Sequence, residues 1–239
     1  FSMTGLESAN RSPAVIAGGT NLSFTGAGAV SIAASQAGDA DWSPAAEVTN
    51  TFAVTKADAQ VTLNDLNQTY DGAERAVTAT TVPPGLTVDI TYNGGAPVPI
   101  AAGSYAVSGT VNNLIWQGAA TGTLTVSKAS QTIVFPNPGA QVTTNTVRLS
   151  AVASSGLPVS FTVVAPSPAA IAGGTNLSFT GAGTVSIAAS QAGDGNWKAA
   201  ARVTNTFAVT KATAQVTLNN LGQTYDGTAR TVTATTEPL

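Results

Sequence analysis

The chain repeats itself over most of its length. Residues 13–84 align with residues 168–239 at a constant offset of 155, without a gap, and 57 of the 72 aligned positions are identical. Self-similarity at a fixed period is typical of arrays built from small structural modules. The repeat therefore constrains the fold more than any other feature, because the chain must divide into several modules instead of forming one large core.

A second, weaker repeat divides this long cycle. Segment 52–57 recurs as 207–212 and, more loosely, as 124–129, and each copy ends in a Lys-Ala pair. A polar pair and a new alternation of apolar residues follow each copy. We interpret each lysine as the end of one small domain and the alanine after it as the start of the next. Linkers this short restrict the freedom between domains, so we expect a semi-rigid rod.

This interpretation predicts four segments of two alternating kinds. Residues 57–128 and 129–211 are complete units of different kinds, 1–56 is a partial copy of the second, and 212–239 is a partial copy of the first. The sequence contains no signal peptide, no anchor motif and no apolar run long enough to span a membrane. We expect such parts, where the protein has them, outside these residues.

Apolar and polar residues alternate with a period of two. In 86–92, Leu86, Val88, Ile90 and Tyr92 share one face of a predicted strand, and the Asn-Gly pair at 93–94 suits a tight hairpin turn. No stretch sustains a helical period. The sequence therefore predicts an all-β fold, with tandem antiparallel β-sandwich (Ig-like) domains of two alternating types in an extended rod. Further predicted strands are 104–111, 122–127, 146–152, 159–163, 176–179 and 184–188.

The composition excludes most chemistry. The chain has no His and no Cys, so it lacks the commonest general base, the commonest metal ligand and any thiolate. It also lacks paired carboxylates at a fixed near spacing, so we expect no enzyme, no catalytic residue and no cofactor. A net charge of -3 provides too little positive charge to hold a phosphate backbone. We therefore expect no nucleic acid partner, and no membrane contact within this segment.

Threonine-rich strands explain how so few charges keep the chain in solution. Only 9% of the residues are charged, and the hydroxyl of a β-branched threonine keeps the outer face of a strand wet. Edge strands that lack Lys or Glu are poorly protected against pairing with other chains. We therefore expect further copies of the repeat in cis as partners, with lateral self-association into fibres as a second kind of contact.

Four motifs in 57–128 occur in an order that resembles the MBG (YDG-type) repeat of large bacterial surface proteins. One departure lies at 114–116, where such repeats usually carry a more polar Asn-Tyr, and we interpret Trp116 as a larger plug for the same core site. The unit 129–211 is similar to the bacterial Ig-like repeats that commonly alternate with MBG repeats. The four motifs are QTYDG at 68–72, TYNG at 91–94, GSYAV at 103–107 and QGAATGTL at 117–124.

The resemblance implies an extracellular, non-catalytic repeat region at the cell surface of a bacterium. Our leading hypothesis is a structural stalk or filament component of a long surface protein. The alternative is an adhesin module in which each repeat binds a glycan or mucin weakly and the array gains avidity. Trp42, Trp116 and Trp197 suggest a sugar-stacking platform, with Trp116 as the candidate glycan contact. Trp42 and Trp197 are equivalent positions one full cycle apart, which on a rod places them far from each other, so we favour a role in the core or in anchoring a loop for the tryptophans.

Acidic loops offer weak metal candidates. Asp39 and Asp41, and Asp194 and Asn196 in the second copy, supply oxygen atoms that suit Ca²⁺. Because a calcium site needs about six to eight oxygen ligands, we favour a polar loop tip. The aspartates of the two YDG motifs, Asp71 and Asp226, are interpreted as turn residues that cap their own backbone.

The junction lysines and the glycine-rich segments complete the candidates. Lys56, Lys128 and Lys211 suggest intramolecular Lys-Asn isopeptide bonds, but they lie at junctions beside alanine. We favour packing of the aliphatic stem with the ammonium in water. The Gly-Ala-Gly segments at 26–28 and 181–183 lack the Lys and the helix of a phosphate loop, so turns are expected.

Overall fold

The computed structural model describes residues 2–3, 13–17 and 21–237. Residues 1, 4–12, 18–20 and 238–239 lie outside the described part, and so do those portions of the predicted segments 1–56 and 212–239. The described residues form strands and no helix, which confirms the all-β fold class. Within them there is accordingly no helix able to cross a bilayer. The chain divides into two compact units, Phe1–Lys128 and Ala129–Leu239.

Among the described residues, five strands precede the first junction lysine. They are β1 (Ser2–Met3), β2 (Ala14–Ala17), β3 (Asn21–Phe24), β4 (Gly28–Gln36) and β5 (Ala45–Val54). β2 and β3 form one antiparallel pair, whereas β4 pairs with both β1 and β5. A register shift between Ala34 and Gln36 interrupts the β4–β5 ladder near its end.

The segment between Lys56 and Lys128 is a small β-sandwich. Its strands are β6 (Ala57–Asp58), β7 (Gln60–Asn64), β8 (Asn67–Thr69), β9 (Thr78–Val82), β10 (Val88–Tyr92), β11 (Gly103–Val111), β12 (Trp116–Gln117) and β13 (Ala119–Ser127). A four-stranded sheet of order β10-β11-β13-β8 packs against the antiparallel pair β7–β9. The alternation in β13 sets the core, because Leu124 and Val126 are buried while Thr123 and Thr125 are exposed.

The segment that follows Lys128 is a second sandwich with a larger core. Its strands are β14 (Ile133–Val134), β15 (Gln141–Val142), β16 (Thr146–Arg148), β17 (Val152–Ala153), β18 (Ser160–Val163), β19 (Ala169–Ala172), β20 (Asn176–Phe179), β21 (Gly183–Ser190) and β22 (Val203–Thr210). A sheet of order β15-β22-β21-β18 and a sheet of order β16-β20-β19 bury Leu177, Val185 and Ile187 completely. β23 (Gln215–Asn219) and β24 (Thr233–Glu237) then form a separate exposed pair.

The predicted single strand at 146–152 is wrong. The chain leaves β16 after Arg148 and begins β17 at Val152, and these two strands belong to different sheets. β16 pairs with β20, whereas β17 pairs with β14. Leu149 is buried where the chain passes between the sheets. An alternation of apolar residues predicts which side chains are buried, but it does not predict that the chain passes from one sheet to another.

The Asn-Gly pair at 93–94 forms a turn but not a tight hairpin between two strands. Asn93 and Gly94 both have positive φ, at 46° and 76°, and the chain returns only as far as a bridge between Tyr92 and Ala96. The strand that pairs with β10 is β11, which begins at Gly103. The turn chemistry was therefore predicted correctly, whereas the partner strand begins several residues later.

Parallel pairs join the start of each sandwich to its end. In the first sandwich β8 runs parallel to β13, and β6 runs parallel to β12. In the second, β15 runs parallel to β22. Each sandwich is therefore closed by hydrogen bonds between strands that are far apart in sequence, a feature that the antiparallel prediction did not contain.

Burial of a leucine in the first sandwich gives a stability test with a matched control. Leu124 is completely buried, whereas Leu114 in the same domain is 78% exposed. Replacing Leu124 with Ala removes buried methyl groups and leaves a cavity, so we expect a loss of about 2–5 kcal/mol of unfolding free energy. Leu114→Ala should change it by less than about 0.5 kcal/mol. Urea unfolding followed by circular dichroism measures both, and equal losses would contradict this core.

Candidate functional site

Each tryptophan lies in a loop that is closed by the side chain of an Asp or Asn three residues before it. In the second sandwich, the Asp194 carboxylate accepts hydrogen bonds from the N–H groups of Asn196 and Trp197, both at 2.8 Å. The Asp194 N–H in turn donates to the Trp197 carbonyl oxygen at 3.1 Å. An acidic side chain that binds backbone N–H groups two and three residues later is a stable local turn.

The same loop occurs twice more. Asp39 accepts from the N–H groups of Asp41 and Trp42, both at 2.9 Å, as the repeat requires. Asn113 in the other domain type accepts from Ile115 at 2.8 Å and from Trp116 at 3.0 Å. The sequence comparison missed this equivalence because only the Asx and the Trp are shared. We call the three segments 39–42, 113–116 and 194–197 the tryptophan loops.

The tryptophan loops account for the calcium candidates. Oδ1 of Asp39 and Oδ1 of Asp194 each accept from two backbone N–H groups already, and Asp41 and Asn196 each contribute one of the two. In the described part of the chain no three His, Cys, Asp or Glu residues are grouped in a way that suits a metal ion. The described geometry therefore gives these four residues a role in closing the loop, and it brings no additional acidic ligand to them.

Each complete domain uses its tryptophan loop to hold its own first residue. Ala57, directly after Lys56, bridges in parallel to Trp116, and its N–H donates to the Ile115 carbonyl at 2.8 Å. Ala129, directly after Lys128, bridges in parallel to Trp197, and its N–H donates to the Asn196 carbonyl at 2.9 Å. The tryptophan loop is therefore hydrogen-bonded to the junction alanine in both domain types.

Trp116 is not a plug in the core. The buried cluster of its domain contains Val77, Tyr92, Val107, Leu124 and Val126, without Trp116, which is half-buried in β12 beside the domain start. Trp197 is likewise half-buried. Trp42 is 74% exposed. The structure thus places all three tryptophans in these loops, two of them half-buried and one exposed.

A buried glutamine, which sequence reasoning missed, fastens the start of the second sandwich. Gln131 is only 6% exposed, and its Nε2 donates to the Lys198 carbonyl at 2.7 Å and to Oε1 of Gln191 at 2.5 Å. The Ser155 hydroxyl donates to its Oε1 at 2.5 Å. Because a buried amide is costly unless its donors and acceptors are satisfied, this network fixes the opening segment against the loop that carries Trp197.

Lys56 contacts the next domain through its ammonium group. Nζ donates to the backbone carbonyl of Asn113 at 2.7 Å, and the nearby Ala27 N–H donates to the Leu114 carbonyl at 3.4 Å. The Asn113 carboxamide oxygen is already used by the loop. The contact is therefore an ordinary hydrogen bond to the backbone, in keeping with the junction role expected for this lysine, and not the approach of an amine to a side-chain amide.

The aspartates of the YDG motifs cap turns. Oδ1 of Asp71 accepts from the Ala73 N–H at 2.9 Å, and Asp71 also pairs with Arg75. Asp226 accepts from both the hydroxyl and the N–H of Thr228, and it pairs with Arg230. The Thr228 hydroxyl, followed by its N–H, holds the pKa of the Asp226 carboxyl below its ordinary value. These contacts match the predicted turn role.

Two grooves are too small for a typical ligand site. One has a volume of about 170 Å³ and lies between Phe135 and Ser150, and the other, about 280 Å³, lies on the exposed β23–β24 pair. Pockets that bury a small molecule usually have roughly 300–1,000 Å³. Neither groove therefore indicates a site for a small molecule.

Two glycines in one loop test the shape of the tryptophan loop. A Cβ on Gly193 would collide with the Trp197 carbonyl, and its φ is +77°, whereas Gly195 has open space around it. We expect Gly193→Ala to lower the unfolding free energy by about 1–3 kcal/mol. Gly195→Ala should be almost neutral, because alanine already occupies the equivalent position, 40. Denaturant unfolding measures the unfolding free energy of both variants, and equal values for the two would contradict the loop geometry.

The domain between the first two lysines and the start of its second copy match a known family. Residues 59–130 and 214–239 match the family model described as MBG domain. No curated protein matches the chain. The match covers the four motifs at 68–124 and the YDG turn at 225–227, whose capped aspartates are described above. The first sandwich and the β23–β24 segment are therefore similar to the MBG domain.

Proposed function

We propose that the chain is a non-catalytic structural repeat region of a long bacterial cell-surface protein, acting as a stalk or filament component. The observation that carries this proposal is that hydrogen bonds hold the first residue of each complete domain, so that few residues between domains are left unbonded. In the first sandwich the residue directly after Lys56 is hydrogen-bonded within its own domain, and the same holds for the residue directly after Lys128. A series of domains joined in this way bends little at its junctions, and its length is set by the number of repeats.

The junction inside the first unit shows how little chain is left free. β5 ends at Val54 and β6 begins at Ala57, so only Thr55 and Lys56 lie between the two domains. Lys56 is itself fastened to the Asn113 carbonyl of the following domain. Because a linker of two residues with contacts on both sides samples few orientations, neighbouring domains of this kind are restrained relative to one another.

The extracellular setting rests on the MBG match together with the composition. MBG repeats are expected in surface proteins, and the hydroxyl groups of threonine keep the outer faces of the strands hydrated although few residues are charged. Further copies of the same repeat in cis are the proposed partners. Lateral association through strand edges is a second proposal, although the edge strands β10, β18 and β19 have only four or five residues each.

Solution scattering tests the stalk directly. A compact globule of 239 residues has a radius of gyration of about 18 Å. We expect a clearly larger value for the chain and elongated particles in electron micrographs. A matched variant with a flexible Gly-Ser insertion after Lys56 should show a broader distribution of distances than the parent. A radius near the globular value would contradict the proposal.

A glycan array tests the alternative function. If the repeats bind glycan or mucin through the candidate contact, the parent chain should be retained and Trp116→Ala should lose the signal. We expect no specific retention, because Trp116 is half-buried in β12, which pairs with the first two residues of the domain. The exposed Trp42 provides a matched control, since Trp42→Ala removes the same side chain without touching Ala57. Retention that depends on Trp116 alone would favour the binding module over the stalk.

A further inference from the structure

We infer that each complete domain contains a shear clamp, in which parallel strands at the start and end of the domain resist tension along the chain. This inference deepens the proposed stalk function and rests on it for its biological setting, because a stalk is pulled at its two ends. The clamp itself is a property of the described hydrogen bonds, and it can be measured without reference to where the protein resides.

The MBG repeat carries the clamp in two places. Near the domain start, Ala57–Asp58 pairs in parallel with Trp116–Gln117. Farther along, Asn67 to Thr69 pair in parallel with Thr125 to Ser127. The second ladder is continued by two hydrogen bonds, from the Thr125 N–H to the Leu66 carbonyl at 2.8 Å and from the Tyr70 N–H to the Ser127 carbonyl at 2.9 Å.

The second sandwich has the same arrangement with different residues. Ala129 bridges in parallel to Trp197, and Gln141–Val142 pairs in parallel with Val209 and Thr210. The Thr143 N–H continues this ladder to the Thr210 carbonyl at 2.9 Å. Two asparagine side chains add bonds between the opening and closing segments, from Asn205 to the Phe135 carbonyl at 2.8 Å and from Asn137 to the Thr206 carbonyl at 3.3 Å.

Parallel pairing decides how tension acts on these bonds. When the chain is pulled at its ends, the opening strand is drawn toward its N-terminus and the closing strand toward its C-terminus. Because the two strands run in the same direction, these forces are opposed along one axis, and the strands must slide past each other. All bonds of the ladder are then strained together, whereas a force across the ladder would break them one after another.

Release of the clamp also opens the core. The closing strand of the MBG repeat carries the buried Leu124 and Val126, and the closing strand of the second sandwich carries the buried Phe207 and Val209. A strand that slides out of the clamp therefore exposes apolar side chains to water at the same time. Rupture of the ladder and loss of the core are a single step, so hydrogen bonding and burial both contribute to the barrier.

Pulling the same domain in two directions tests the clamp. In single-molecule force spectroscopy, the full chain is first held at its two ends. Handles are then placed at Ala73→Cys, just beyond the β8–β13 ladder, and at Ser127→Cys, in the last pair at the same end of that ladder; both positions are exposed, and the ladder is peeled from this end. We expect a rupture force at least twofold higher for end-to-end pulling. Equal forces in the two directions would overturn the inference.

A crosslink across the ladder tests which residues hold the force. Asn67 and Thr125 are exposed partners in the parallel register, and the chain has no natural cysteine. In Asn67→Cys/Thr125→Cys, oxidation should shorten the extension released when this domain unfolds by about 19 nm, because residues 68–124 are enclosed at roughly 3.4 Å each. The force needed for that domain should rise, and reduction should restore the parent behaviour.

An antiparallel crosslink provides the matched control. Asp89 and Thr110 are exposed partners in the β10–β11 pair, outside the clamp. Oxidised Asp89→Cys/Thr110→Cys should shorten the released extension by only about 7 nm and leave the rupture force unchanged. A rise as large as that of the first crosslink would overturn the assignment to the ladder. The two proposals can fail separately. A rupture force that depends on direction, in a chain with the radius of gyration of a globule, would refute the stalk and leave the clamp. Equal rupture forces in the two directions, in an extended chain, would refute the clamp and leave the stalk.

Discussion

The bond between a junction alanine and the tryptophan loop is the constraint on which each domain depends. It joins the first residue of the domain to the loop that carries the tryptophan. In the second sandwich this loop must close tightly, which requires Gly193 where any Cβ would meet the Trp197 carbonyl. The position of the domain start and the shape of the loop therefore depend on the same few hydrogen bonds.

The two domain types reach one architecture with different sequences. Counted back from the junction lysine, Leu124 and Phe207 occupy the same position, and so do Val126 and Val209, and all four are buried. The weak repeat around the lysines is thus the closing strand, with two inward residues at a period of two and a lysine that reaches water beyond the sheet. Outside this strand and the tryptophan loop, the two domain types differ in sequence.

Local patterns predicted the strands but not the way the domains close. The alternation in 86–92 and the turn at 93–94 follow from side-chain period and positive φ, which are properties of a few neighbouring residues. The parallel ladders join strands about sixty residues apart, and no short pattern encodes such a register. The role of Gln131 was missed for the same reason, since its partners Ser155, Gln191 and Lys198 come from distant segments. The change of sheet after Arg148 is also set by distant partners.

The near-identical copies separate what local sequence determines from what packing adds. The register of β2 with β3 places Ala14 opposite Phe24, as Ala169 lies opposite Phe179, and Val30 faces Phe52 as Val185 faces Phe207. Yet Phe52 is 38% exposed and Phe207 only 7%. In the second copy Phe135 and Phe161, from strands outside the repeated segment, belong to the cluster that covers Phe207. Hairpin register is therefore carried by the repeat itself, whereas the burial of Phe207 also depends on residues outside the repeated segment.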